Sequence, residues 1–221
     1  ASEILTIQQK AVLELSNEST NKLRIGVSSV PSLYVLPELL AAYHADFPDV
    51  TFHTYCGDSL EIIRKIDDGT CDLGLVGTVC SDTTCEFLPF APDELVVATP
   101  ATPYYQAFTV QKTPLKVLLK EPFLLREDNS GTKQETLYFL KNKGLSLDDL
   151  NVIAVMDDAA ALKQCIMLGM GISILSKATV QADARQGKLL LFPLGEAAFL
   201  RKLYLVYSPV KYMAEEGGVF L

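Results

Sequence analysis

The 221-residue sequence has no tryptophan, only two histidines, and five cysteines that never fall in a CxxC pair. Zinc sites built on paired cysteine and histidine ligands are therefore not expected. His44 follows Tyr43 in a helical pattern and His53 sits in an alternating one. Neither has an adjacent nucleophile or a second ligand at metal-binding spacing, so both are expected to be surface or filler residues. No apolar run approaches the roughly 18 residues a membrane-spanning helix needs. The sequence also lacks GxGxxG, GxxxxGK and GxSxG, and Gly169-Met170-Gly171 has no third glycine and precedes a strand pattern. Catalytic residues, a metal and a cofactor are not expected, and the chain reads as a non-enzyme. A basic excess is missing too: 19 Lys and Arg against 27 Asp and Glu give a net charge of −8. Tight binding of nucleic-acid phosphates by this segment alone is disfavoured.

What is present is globular. Hydrophobic residues make up 49% and charged residues 21%, with 13 glycines and 11 prolines, neither a disordered nor a collagen-like composition. The length allows one bilobed domain or two small ones. An odd number of scattered cysteines fits reduced thiols in a cytoplasm. The start Ala1-Ser2-Glu3 has no methionine and no secretory pattern, as expected of a fragment or a processed chain.

From Leu23 onward, strand-like runs alternate with segments of helical spacing. Leu23–Val27 reads as a strand. Leu33, Leu36, Leu39, Leu40, Tyr43 and Phe47 then share one helical face, which Pro48 ends. Val50–Cys56 is a strand, and Asp58 or Ser59 caps a helix with Leu60, Ile63 and Ile66 inward until Gly69. Asp72–Val76 completes a β-α-β-α-β unit with parallel strands. A second unit follows the strand Leu95–Thr99. It has strands at Phe123–Arg126, Asn151–Met156 and Ile172–Leu175. Its helices carry Leu137 and Leu140 inward and, after an N-cap at Asp157, Leu162, Cys165 and Ile166. Arg201–Tyr207 is a last strand, expected with 95–99 to cross between lobes. Ile4, Ile7, Ala11 and Leu15 predict an amphipathic helix over residues 1–20, joined by a linker at 17–21.

In open parallel sheets, ligands bind beyond the carboxyl ends of strands, where helix N-termini present free N–H groups. Two such places stand out. Ser28-Ser29 precede Pro31 in the first unit, and Asn129-Ser130-Gly131-Thr132 open a helix in the second. Each alone reads as an ordinary cap, but their matched placement in both units points to a ligand. Thr78 lies on the first rim, as a further hydroxyl or a turn residue. Arg126 and Lys133 flank the second loop and could neutralise an anion, with solvated surface charge the expected state of Lys133. Cys80 and Cys85 could join under oxidation, but nothing in the sequence lowers a thiol pKa there, so no redox switch is expected.

Arg24-Ile25-Gly26-Val27-Ser28-Ser29-Val30-Pro31, Phe47-Pro48-Asp49-Val50, Asp72-Leu73-Gly74-Leu75-Val76-Gly77, Asp93-Glu94-Leu95-Val96-Val97, Arg126–Thr132 and Gly169–Leu175 together resemble LysR-type transcriptional regulators over residues 22–208. The resemblance implies an α/β, type II periplasmic-binding-protein fold of two Rossmann-like lobes joined by two crossing strands. It implies residues 1–21 as a linker remnant, 22–97 with 203–221 as lobe I, and 98–202 as lobe II. A small, anionic effector is expected between the lobes at Ser28, Ser29, Thr78, Asn129, Ser130 and Thr132. The resemblance also implies a homodimer or tetramer, with antiparallel pairing of residues 33–47 and 158–168. DNA contact would belong to an N-terminal winged helix-turn-helix domain that this sequence lacks, with no membrane contact and a cytoplasmic location. Peroxide sensors of this family keep two reactive cysteines in the second lobe; here only Cys165 lies there, so that mechanism is not expected. The rival reading is an exported solute receptor of a transporter, which would require a signal or lipid anchor ahead of residue 1. An enzyme on the same scaffold is a third reading, with no nucleophile–base pairing in its favour.

Overall fold

Leu23, Ile25 and Val27 alternate along the chain, and their strand, β1, spans Lys22–Ser28 with all three side chains buried on one face. The computed structural model describes residues 22–111, 114–195 and 197–209. The expected amphipathic helix at 1–20 and linker at 17–21 lie outside the described residues. The chain divides into two compact units, one running to Ala91 and resuming at Leu203, the other spanning Pro92–Lys202.

In the first unit, Ser29–Tyr34 (α1) and Leu36–Asp46 (α2) follow β1. One continuous helix was the expectation; the break at Val35 has a cause in Pro37, which offers no N–H and whose ring crowds the carbonyl of Leu33. Leu33 is turned outward at 55% exposure, whereas Leu36, Leu39, Leu40 and Tyr43 join the β1 side of the core. Thr51–Gly57 is β2. Asp58 caps Ser59–Asp67 (α3), its carboxylate accepting from the Glu61 N–H at 2.8 Å. Ile62, Ile63 and Ile66 are the buried apolar residues of α3, with Leu60 only partly covered. Gly69 ends this segment at φ +74°, a conformation side chains disfavour. Leu73–Val76 is β3, and β1 lies between β2 and β3 with both pairings parallel. Gly26 and Gly74 let α3 settle on the sheet: a Cβ on either would come within 2.7 or 2.8 Å of Ile62 Cγ2.

Glu86–Pro100 (β4) starts in the first unit and ends in the second. The sequence suggested a strand only from Leu95 because Pro89 and Pro92 each remove a ladder donor. In the second unit come Pro103–Val110 (α4), Leu115–Leu118 (α5), Pro122–Arg126 (β5) and Gly131–Asn142 (α6). They are followed by Asn151–Met156 (β6), Ala159–Met167 (α7), Ser173–Ser176 (β7), Lys177–Arg185 (α8) and Leu189–Pro193 (β8). β4 pairs antiparallel with β7 and β8, β5 pairs parallel with β6, and a bridge from Phe123 to Ile172 connects β5 to the start of β7. Strand alternation sends Leu95, Val97, Phe123 and Leu125 to one core, and Val96, Ala98 and Leu124 to another. Helices therefore cover both faces, an α/β architecture. The N-cap of α7 is Asp158, not Asp157: its carboxylate accepts from Ala160 and Ala161 N–H at 2.7 and 3.2 Å. Phe199–Tyr207 (β9) begins in the second unit and ends antiparallel to β3 in the first. Among the described residues no helix is long and apolar enough to cross a membrane.

Candidate functional site

Because β1 and β3 are parallel neighbours, their carboxyl ends share one edge of the first unit. Ser28 is the last residue of β1 and the N-cap of α1, and its side chain makes no cap hydrogen bond. Ser29 opens α1, and its carbonyl accepts from the Ser32 hydroxyl at 2.9 Å. After β3, the Gly77 N–H donates to Ser59 Oγ at 3.3 Å, tying the turn to the start of α3. Thr78 follows, half-buried, beside the exposed Val79. The first unit thus brings Ser28, Ser29 and Thr78 to one edge. With six residues, α1 has a weak dipole, so hydroxyls are the main polar feature of this rim.

The second unit presents a better developed helix terminus. α6 runs for 12 residues from the carboxyl side of β5. Ser130, its N-cap, is 4% exposed, and its side chain makes no cap hydrogen bond. Its N–H donates to the Glu127 carbonyl at 3.1 Å, and its carbonyl accepts from the Gln134 N–H at 3.0 Å. Thr132 is buried, with its carbonyl accepting from the Thr136 hydroxyl at 2.8 Å. Asn129 is exposed in the preceding loop. Asn129, Ser130 and Thr132 thus lie together at one terminus.

Two basic residues differ from expectation. Lys133 is buried at 7% exposure, not solvated, and its ammonium bonds to the exposed carboxylate of Asp128. Its position follows from the inner face of α6, which carries Thr132, Lys133, Thr136, Phe139 and Leu140, whereas Leu137 is only partly buried. Helical spacing from Phe139 and Leu140 back to Thr136 and Lys133 was the available signal. Arg126 is committed to the fold. Its guanidinium donates to both Glu127 oxygens at 2.9 and 3.0 Å and to the Asp157 carbonyl at 2.9 Å. Lys133 is thus the cation at the α6 terminus, partly neutralised by Asp128.

A third polar cluster, not anticipated from sequence, joins Asp93 of β4, Ser176 of β7 and Arg201 of β9 in the second unit. Asp93 accepts from the Ser176 hydroxyl and from Arg201 Nε, the latter at 2.8 Å. Partners 83 and 108 residues away leave no local sequence signal.

No group of three or more His, Cys, Asp or Glu able to hold a metal is found among the described residues. Cys80 and Cys85 are free thiols. Burial, reinforced by the Asp67 carboxylate, pushes the Cys85 thiol up to about 11, the reverse of what a reactive thiol requires. His44 and His53 are exposed.

The family model described as "LysR substrate binding domain" matches residues 16–217. The chain is 28% identical over 186 residues to an uncharacterized HTH-type transcriptional regulator of Methanocaldococcus jannaschii, covering 84% of this chain and 62% of the relative. It is 26% identical over 215 residues to the regulator YeiE of Escherichia coli, covering 97% and 71%. The chain therefore spans less than two thirds of the archaeal relative. Among solved structures, the CcmR regulatory domain of Synechocystis PCC6803 in complex with 2-PG aligns with TM-score 0.73 and 22% identity over 89% of this chain and 94% of that one. The effector-binding domain of QuiR in complex with shikimate gives TM-score 0.73 and 19% identity over 90% and 95%. These likenesses give the fold, that of LysR effector-binding domains of the type II periplasmic-binding-protein class. With the family model matching nearly the whole sequence, the chain belongs to the LysR substrate-binding domain family.

Proposed function

We propose that this chain is the sensing part of a cytoplasmic transcription regulator, in which a small anionic metabolite is held between the two units. Ser28, Ser29 and Thr78 contact it from one unit, and Asn129, Ser130 and Thr132 from the other. The observation that carries this reading is the terminus of α6. There, a buried N-cap serine whose side chain makes no cap hydrogen bond, a buried threonine, helix N-terminal N–H groups and Lys133 converge at the end of a parallel strand. Further support comes from relatives of the same fold solved with 2-PG, shikimate or benzoate. Two of those names denote carboxylates.

Binding regulates only if the ligand prefers one arrangement of units or subunits, because equal affinity for both shifts nothing. Exposed Leu33 and Leu168, one in each segment, support a homodimer or tetramer that pairs residues 33–47 with 158–168 of another copy. DNA contact falls to an N-terminal winged helix-turn-helix domain outside this sequence. Neither transport nor catalysis is part of the proposal.

A thermal-shift panel of small carboxylates, phosphorylated acids, inorganic anions and amino acids tests it. Ligand at 100 times its Kd stabilises the folded state by about 2.7 kcal/mol. A hit should bind calorimetrically to the wild type and bind at least tenfold more weakly to Ser28→Ala/Ser130→Ala. Unchanged affinity in a folded double variant would overturn this site.

A further inference from the structure

Among the described residues, Arg201 Nη1 is the buried side-chain nitrogen or oxygen without a hydrogen-bond partner. The rest of the guanidinium is anchored: Nε donates to Asp93 Oδ2 at 2.8 Å, and Asp93 also accepts from Ser176. A cationic head removed from water with an unused donor calls for an acceptor. Helix α6 brings one. Phe199 precedes Arg201 by two residues and so shares its face of β9. Its ring packs edge-on against Phe139 of α6, with centroids 5.4 Å apart. Glu135 lies one turn before Phe139 on the same helix face, near enough to Arg201 for that charge to act on its carboxyl.

We propose that Glu135, when ionised, turns onto Arg201 Nη1, which has no partner in this structure, and so becomes the second carboxylate on Arg201 and fixes α6 against β9. Glu135 is a positioning residue: it touches no effector. The consequence rests on the reading of Ser130 and Thr132 as effector contacts, since α6 carries both and β9 leaves the second unit just after Arg201, at Lys202. The contact would link the site helix to a strand shared by both units. The charged groups acting on Glu135 are Arg201 from β9 and Asp93 from β4. Burial pushes its carboxyl above the usual value, Arg201 draws it down, and Asp93 adds to the rise. The contact should therefore form when Glu135 is ionised and be lost on acidification.

The test uses the whole chain, with 15N in arginine, and no ligand. A guanidinium Nη held by a carboxylate rotates slowly and gives separate proton signals. In the wild type at pH 7, Arg201 should show resolved Nη signals that merge as the pH falls through the Glu135 titration. In Glu135→Met, of similar length and without a carboxylate or amide acceptor, the signals should be merged at pH 7 and insensitive to acid, with circular dichroism unchanged. Identical Arg201 signals in wild type and Glu135→Met would overturn the pair. So would an acid dependence that persists in Glu135→Met. Because no ligand is present, failure here leaves the effector reading standing, and failure of the metabolite panel leaves this pair standing.

Discussion

Asp93→Ala probes one of the most heavily buried charges among the described residues. The Asp93 and Arg201 side chains are each 3% exposed, and their 2.8 Å bond joins strands separated by 108 residues. Truncating the aspartate takes the Nε partner from the buried guanidinium and the acceptor from the Ser176 hydroxyl. Breaking one side of a buried pair costs about 3–5 kcal/mol, because the surviving charge stays buried. The orphaned hydroxyl adds about 1 kcal/mol. For a chain of this size each kcal/mol lowers Tm by about 2–4 °C, so a total of about 4–6 kcal/mol gives an expected fall of about 8–24 °C. With no tryptophan to report unfolding, urea and thermal curves followed by circular dichroism are the assay. Asp93→Leu with Arg201→Met should recover most of the loss, since an apolar pair needs no desolvation of charge. A loss under about 1 kcal/mol for Asp93→Ala, or a double variant no better than the single, would refute the reasoning.

Gly171→Ala would place a Cβ 2.3 Å from the Pro122 carbonyl oxygen, which is backbone held by the Ile172 N–H at 2.8 Å. Overpacking of at least about 1–3 kcal/mol is expected in urea unfolding, and a neutral effect would contradict the close approach of β5 and β7. Cys85, its thiol pushed up to about 11 by burial, should be thiolate in only about one molecule in a thousand at pH 8. In native protein iodoacetamide should label exposed Cys56 well before it, as read by mass spectrometry; equal rates would remove the buried-thiol account. Burial alone would raise the Asp67 carboxyl, but hydrogen bonds from Thr83, Thr84 and Cys85 carry it below its ordinary value. Its stabilising contribution should be complete above the unfolded-state value near 3.8 and vanish as pH falls through the lower folded value. Asp67→Asn should flatten that part of the acid stability profile; an unchanged profile would count against the hydrogen bonds.

The α/β class and the alternation of units were legible because period-2 and period-3.6 patterns are local. Leu23, Ile25 and Val27 declare a strand, and Leu162 and Ile166 declare a helix face, without knowledge of what they pack on. Prolines misled twice in opposite senses. A single helix was expected where Pro37 breaks it, and Pro89 and Pro92 hid the nine residues 86–94 of β4, which runs straight through them. The helices α4, α5 and α8 and strand β8 went unread because their hydrophobic residues follow no clean period. At the candidate site, the order Ser-Gly-Thr at a helix start was visible, since capping chemistry is written in adjacent residues. The burial of Lys133 was not, because its stem packs on a helix face while its charge is met by Asp128 five residues back. Asp93, Ser176 and Arg201 meet only through tertiary structure, and no spacing announces them.

The most direct measurement is a backbone amide NMR titration of the whole chain with the strongest small acid from the metabolite panel. Saturable shifts should concentrate at Ser28, Ser29 and Thr78 and at Asn129 through Lys133, and they should largely disappear in Ser28→Ala/Ser130→Ala. Shifts confined to other surfaces, or a tight complex whose perturbations bypass both rims, would contradict the account.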